Sequence, residues 1–326
     1  MSDTEERPVG DTETREAEAA PRAAPPVAPV SAQSPGSAAP VGATTAAPAA
    51  PPGPPAPRPP VVSFINVSKT YANGLTAIKN INFTVEDRTD HGEFIAILGP
   101  SGCGKSTILR LIAGLRPQHP ATTGTVLVGG QPVTGPGSDR GMVFQDYTAF
   151  DHRTVAENIA FGLECRGVPE KERREQALAW VAKVGLSVDR DANKFPHELS
   201  GGMRQRVAIA RSLILHPKIM LMDEPFGALD PATRLNMQDL LVKLWRDLQA
   251  TVFFITHSIE EAVYLGDRVY VMSPSPGTIL KEVPVPPPDR PAKEMQREPQ
   301  FQQIVNGLAD ALMQLEAAAA KGREER

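Results

Sequence analysis

Cysteine is scarce: the 326 residues hold two, Cys103 and Cys165, and neither has a second cysteine or a histidine at metal-ligand spacing. That excludes a disulfide framework and gives no sign of a zinc site, and it fits a reducing compartment. Long hydrophobic runs are missing too, since no stretch approaches the ~18 to 20 uninterrupted apolar residues that cross a bilayer as a helix. The chain is therefore not expected to span a membrane. An excess of positive charge is also lacking: 34 Lys and Arg against 38 Asp and Glu give a formal net charge of −4. Without a basic field no nucleic-acid partner is expected, and phosphate recognition must be local.

Aromatic residues make up 5% of the chain, and residues 1–60 contain none while holding 15 of the 33 prolines. Such a segment cannot bury enough apolar surface to offset the entropy of ordering, so it is expected to be a disordered arm, either simply solvated or docking a regulator. Its acidic start (Asp3, Glu5, Glu6, Asp11, Glu13) has neither the basic n-region nor the apolar h-region of a secretory signal.

What is present begins at Phe94-Ile-Ala-Ile-Leu98, a continuous apolar run of the kind found in strands buried on both faces of a mostly parallel sheet. It leads directly into Gly99-Pro-Ser-Gly-Cys-Gly-Lys-Ser-Thr107, which matches the G-x-x-x-x-G-K-[ST] phosphate loop. Beyond the loop Ile108, Leu111, Ile112 and Leu115 recur at helical spacing, and the helix is expected to end near Gly114. In that order of strand, loop and helix, backbone N–H groups converge on phosphate oxygens and the helix N-terminus adds a favourable field. Lys105 is expected on the β- and γ-phosphates and Ser106 on Mg²⁺.

Ile219-Met-Leu-Met222 is a second buried-strand run, followed at once by Asp223 and Glu224. Ligands of parallel α/β sheets bind at the carboxyl ends of strands, and side chains alternate along a strand, so the two acids need not do the same work. Taken alone, such a pair also serves as a helix cap. Ser200-Gly201-Gly202 precedes a helical stretch with Val207, Ala210 and Ile214 on one face. Ser200 is well placed as its N-cap, and the two glycines permit close backbone approach to an anion.

Taken in order, the phosphate loop, Leu199-Ser-Gly-Gly-Met203 and Ile219-Met-Leu-Met-Asp-Glu-Pro225, with Gln145, Asp230 and His257 between and after them, make residues 61–283 resemble the ATP-binding cassette of ABC transporters. The resemblance implies an α/β fold of the P-loop NTPase class, with a mostly parallel core sheet, an antiparallel β-subdomain and a helical subdomain at about 146–200. It implies ATP with Mg²⁺, cradled by Gly99, Pro100, Ser101, Gly102, Cys103, Gly104, Lys105, Ser106 and Thr107. Tyr71 would stack on adenine, although a tyrosine there could equally close the β-subdomain core. Asp223 is implied on Mg²⁺, usually through water, with Ser106 and Gln145 as the other metal residues. Glu224 is implied as the base that orients or deprotonates the attacking water, with His257 on the γ-phosphate and Gln145 coupling to the membrane partner. Ser200, Gly201 and Gly202 would bind the γ-phosphate of ATP held by the opposite chain, and Asp230 would meet its mate across the dimer. Met203 departs from the family's usual Gln, and Glu86–His91 lengthens a turn away from ATP.

One phosphate loop and one Ser-Gly-Gly segment per chain imply a head-to-tail pair, a homodimer or two paired cassettes, with two ATP molecules between them. In that pair Cys103 of one chain is expected near Leu199 of the other, within disulfide reach. Phe195–Arg206, Met222–Asp230 and Val271–Ile279 look like the importer cassettes for nitrate, sulfonate, taurine and related small anions. That likeness implies permease subunits in the membrane, a substrate-binding protein, and a cytoplasmic location on the inner face of the cell membrane. An exporter or lipid-handling cassette would share every catalytic residue and stays open. A soluble ATPase of the superfamily would carry two cassettes or a long coiled coil, and neither is present. Residues 284–299 read as a proline-rich linker to an amphipathic helix (Phe301, Ile304, Val305, Leu308, Leu312, Leu315) that is expected to dock on the cassette.

Overall fold

The computed structural model describes residues 58–88, 92–145 and 148–324, all within one compact unit, 56–326. Residues 1–57 of the arm and 89–91 of the lengthened turn lie outside the described residues.

Two sheets carry the fold. β1 (Val62–Thr70) and β2 (Thr76–Val85) pair antiparallel, and with β4 (Thr123–Val128) and the short β5 (Gln131–Pro132) they form one sheet in the order β2-β1-β4-β5. The second sheet consists of β3 (Phe94–Leu98), β6 (Arg140–Val143), β7 (Ile219–Asp223), β8 (Thr251–Ile255), β9 (Arg268–Met272) and β10 (Ile279–Pro284). Its order is β10-β9-β3-β8-β7-β6, parallel throughout except for β10 at one edge. α1 (Lys105–Ala113) follows β3, and α2 (Val155–Cys165), α3 (Glu170–Lys183), α4 (Val188–Asp191) and α5 (Gly201–Leu213) fill the interval between β6 and β7. α6 (Pro231–Leu248) and α7 (Ile259–Leu265) cross between β7, β8 and β9, and α8 (Ala292–Met295) and α9 (Pro299–Glu324) end the chain. The parallel core, the antiparallel β-layer and the helical insert that the motifs imply are all present.

Alternation along each central strand divides two cores. Ile95 and Ile97 of β3, Leu221 of β7 and Phe253 of β8 face the core shared with α1 and the antiparallel sheet. Phe94, Ala96, Met220, Met222 and Phe254 face the helical side. Both faces are covered, which is why these strands read as unbroken apolar runs rather than alternating ones. The same parity sends Asp223, two residues after Leu221, toward α1.

α1 ends where Gly114 takes a left-handed φ of 75°, its N–H closing on Arg110 and Leu111 carbonyls. The segment between β10 and α9 is packed, not loose: Val285, Ala292 and Met295 are buried, and Asp239 of α6 accepts from Tyr264 Oη at 2.7 Å and from the Ala292 N–H at 2.8 Å. α9 lies against α7 through buried Phe301, Val305 and Leu308. Among the described residues no helix is long and apolar enough to cross a membrane.

Candidate active site

The phosphate loop leaves β3 at Gly99 and enters α1 at Gly104. Gly102 and Gly104 hold φ of 75° and 96°, a region that residues with a Cβ rarely adopt. At Gly104 a Cβ would also meet Ile78 Cγ2 at 2.4 Å, so the loop is pressed onto β2. Lys105, 4% exposed, folds its ammonium back onto the Gly99 and Pro100 carbonyls at 2.8 and 3.1 Å. Burial lowers its pKa, while Cys103, Glu224 and Asp223 pull the other way. A buried cation whose hydrogen-bond partners are neutral carbonyls is poised to accept an anion. Thr107 is buried and shares a 3.1 Å hydrogen bond with the Tyr71 hydroxyl, whose ring is half-buried with the Lys69 ammonium 5.7 Å from its centroid. Pro100 lies half-buried and Ser101 exposed at the mouth of the loop.

Asp223 and Glu224 are consecutive and point to different partners. Asp223 accepts from Ser106 Oγ at 2.8 Å and has Arg110 at 3.8 Å. Glu224 turns the other way because its φ is 47°, an unfavourable value for a residue with a Cβ. Its N–H donates to the Ile255 carbonyl at 3.1 Å and its carbonyl accepts from the Gly227 N–H at 3.2 Å, so the strained residue is held on both sides. The carboxylate then meets His257 Nε2 at 2.6 Å. Gln145, exposed two residues after β6, lines the same pocket as Glu224, Gly227, His257 and Glu261. The structure therefore brings Glu224, His257 and Gln145 to one cleft beside the loop that carries Lys105 and Ser106.

Ser200, Gly201 and Gly202 lie elsewhere. Ser200 caps α5 by accepting from the Met203 N–H at 3.3 Å, and it lines a separate pocket with Gly202, Met203, Arg206 and Thr233. A Cβ on Gly202 would meet Thr233 Cγ2 at 2.7 Å, so close packing of α6 also accounts for that glycine. Asp230 caps α6, accepting from the Thr233 N–H at 3.0 Å, and hydrogen bonds with Thr233 hold its carboxyl below the usual range.

One expectation is corrected. Cys103 is 0% exposed, its N–H donates to Pro100 O at 3.3 Å, and its Sγ lies 3.1 Å from where a Cβ on Gly99 would stand. The thiol belongs to the core under the loop and cannot reach Leu199 of a partner; only its backbone borders the phosphate cradle.

Sequence reasoning passed over Thr256, Glu261, Arg234 and Arg110. Thr256 Oγ1 donates to Glu261 Oε2 at 2.5 Å, and Arg234 stands 3.6 Å from Glu261 Oε1. The available signal was Ser258-Ile-Glu-Glu261, which has capping-box spacing directly after His257.

Residues 78–227 match the family described as ABC transporter. The chain is 50% identical over 233 residues to the nitrate import ATP-binding protein NrtD of Synechocystis sp., covering 70% of this chain and 84% of the relative. It is 49% identical over 210 residues to the taurine import ATP-binding protein TauB of Rhizobium johnstonii, covering 64% and 77%. Its fold resembles the dimeric post-hydrolysis structure of an ATP-binding cassette bound to ADP and Pi, with TM-score 0.59 and 34% identity over 69% of this chain and 99% of that one. Identity of that order across most of both chains, over a cleft built as described, means that the chain belongs to the ABC transporter family and is one of its ATP-binding, ATP-hydrolysing subunits.

Proposed function

We propose that two copies of the chain, or one with a paired cassette, face head to tail and hydrolyse ATP to drive import of a small anion such as nitrate, sulfonate or taurine. Permease subunits in the membrane and a substrate-binding protein complete the system, with this subunit cytoplasmic and peripheral on the inner face of the cell membrane. The cargo class is supported by the nitrate and taurine import relatives. The chemistry rests on one observation, His257 Nε2 at 2.6 Å from Glu224 Oε1 beside the phosphate loop.

In this reading Lys105 leaves the Gly99 and Pro100 carbonyls for the β- and γ-phosphates, and the N–H groups of the 99–107 loop take the remaining phosphate oxygens. Tyr71 offers its ring to adenine. Glu224 orients or deprotonates the attacking water, His257 holds that carboxylate and reaches the γ-phosphate, and Gln145 closes the cleft and links it to the permease. Ser200, Gly201, Gly202 and Asp230 act on the opposite chain's nucleotide. Mg²⁺, when bound, neutralises charge building on the phosphate oxygens. Ser106 Oγ and Asp223 Oδ1, hard oxygens 2.8 Å apart, would hold it with Gln145. The described residues contain no cluster of three or more His, Cys, Asp or Glu able to hold a metal, which suits a cation carried mainly by phosphates and few protein ligands.

Glu224→Gln is expected to bind ATP normally while turnover falls by about 10² to 10⁴, since the amide keeps the shape and cannot take a proton. Lys105→Ala is expected to lose ATP binding. Parental turnover in the first variant, or tight binding in the second, defeats the assignment. ATP-driven uptake of labelled nitrate or taurine into vesicles carrying the permease tests the cargo, and uptake of neither removes it.

A further inference from the structure

The assignments above leave one buried acid beside the cleft without a task. Glu261 of α7 is 4% exposed and four residues past His257. Its Oε2 accepts from Thr256 Oγ1 at 2.5 Å, and Thr256 Oγ1 in turn accepts from the Ser258 N–H at 3.0 Å. The two residues flanking His257 are thus bonded to each other across it, and the hydroxyl that joins them is held by Glu261. In a capping box the glutamate returns to the N-cap N–H itself. Here Ser258 still caps α7, accepting from the Glu261 N–H at 3.2 Å, but its own N–H goes to Thr256 and the carboxylate takes the threonine proton instead. The other carboxylate oxygen, Oε1, lies 3.6 Å from Arg234 Nε, and Arg234 Nη2 donates to the Leu229 carbonyl at 3.1 Å. A helix cap alone does not call for a buried acid, and burial pushes this carboxyl above its ordinary range against the pull of Thr256 and Arg234.

We propose that Glu261 is a positioning residue for ATP hydrolysis: through the Thr256 hydroxyl it sets the 256–258 turn so that His257 meets Glu224, and through Arg234 it ties that turn to Leu229 beside Asp230. The proposal rests on the reading of Glu224 and His257 as the groups that act on water and γ-phosphate. Its geometric content is that one hydroxyl and one carboxylate, bonded to each other behind His257, fix the 2.6 Å contact on which that chemistry depends.

The test uses the full chain, measuring steady-state hydrolysis, equilibrium ATP binding and melting temperature on each variant. Thr256→Val removes the hydroxyl at nearly constant volume, Thr256→Ser keeps it, and Glu261→Ala removes the acceptor. Because misplacement of reacting groups by about 1 Å costs up to ~10²-fold in rate, Thr256→Val and Glu261→Ala are expected to lower kcat at least about tenfold. ATP affinity should stay within about twofold of the parent, a kcat effect without a binding effect, and Thr256→Ser should restore turnover. The double variant should be no slower than either single one, since both break one linkage. Loss of ATP binding in step with kcat, or a slow Thr256→Ser, means general damage and overturns the proposal. His257→Ala in the same series separates the two claims. If it hydrolyses ATP at the parental rate, the reading of His257 fails; if it is inactive while Thr256→Val and Glu261→Ala run at the parental rate, the role of Glu261 alone falls.

Discussion

The two thiols show how much position outweighs residue type. Cys103 is fully buried beneath the phosphate loop, and burial pushes its thiol above the ordinary range although Lys105 pulls it down. Cys165 is exposed at the end of α2. The thiolate is the reactive form, and it needs access. Maleimide added to the native protein should therefore leave one adduct, at Cys165, with a second at Cys103 only after denaturation, as read by intact mass. Rapid addition of two groups to the native chain would mean that the loop opens. The loop glycine next to the lysine is as demanding. Gly104→Ala places a Cβ 2.4 Å from Ile78 Cγ2 at a φ of 96°. A residue forced into such a conformation costs roughly 1–3 kcal/mol, so calorimetry should show a lower melting temperature together with weakened ATP binding.

Among elements, the C-terminal segment is held by one polar joint and one apolar face. Asp239 on α6 takes hydrogen bonds from Tyr264 on α7 and from the first residue of α8, so three elements meet at one carboxylate. Tyr264→Phe removes one of these two donors at almost unchanged volume and should lower stability by about 0.5–1.5 kcal/mol in urea unfolding, because the half-buried Asp239 carboxylate loses a hydrogen bond. ATP hydrolysis should be unaffected, since none of these groups lines the cleft. An unchanged unfolding midpoint would mean that water replaces the phenol there. This joint also marks where the sequence stopped being legible. The central strands and α1 could be read because burial on both faces leaves an unbroken apolar run and a left-handed glycine ends the helix. Residues 284–299 could not, since proline content signals a break in regular structure but not whether the broken segment packs, and the Asp239–Ala292 contact spans 53 positions. The motif residues of the cleft were legible by spacing, whereas the inward turn of Cys103 and the diversion of Glu261 from Ser258 to Thr256 depend on loop geometry that carries no periodicity.

At the scale of the whole molecule, the two proposed half-sites of one chain face different pockets. The loop with Lys105 adjoins the two acids, since Ser106 Oγ donates to Asp223 at 2.8 Å and the charges of Glu224 and Asp223 act on Lys105, while Ser200 and Gly202 line a pocket with Met203, Arg206 and Thr233 that contains neither of those two acids nor His257. If Ser200 acts on a triphosphate, that triphosphate belongs to another chain. Since Cys103 is unavailable for a crosslink, the test has to come through charge. Ser200 is also the N-cap of α5, and aspartate caps a helix as well as serine does, so Ser200→Asp keeps the local fold. The added carboxylate would face the partner's phosphates, and like charges about 4 Å apart at an effective dielectric near 20 repel by about 4 kcal/mol. In a Glu224→Gln background, where ATP is bound but not hydrolysed, nucleotide should shift the chain from monomer to dimer on gel filtration. Ser200→Asp in that background should bind ATP with unchanged affinity, because the loop is untouched, and remain monomeric. A dimer that still forms with the aspartate in place would show that residue 200 does not meet the partner's nucleotide, and loss of ATP binding by the monomer would show that the two half-sites belong to one chain.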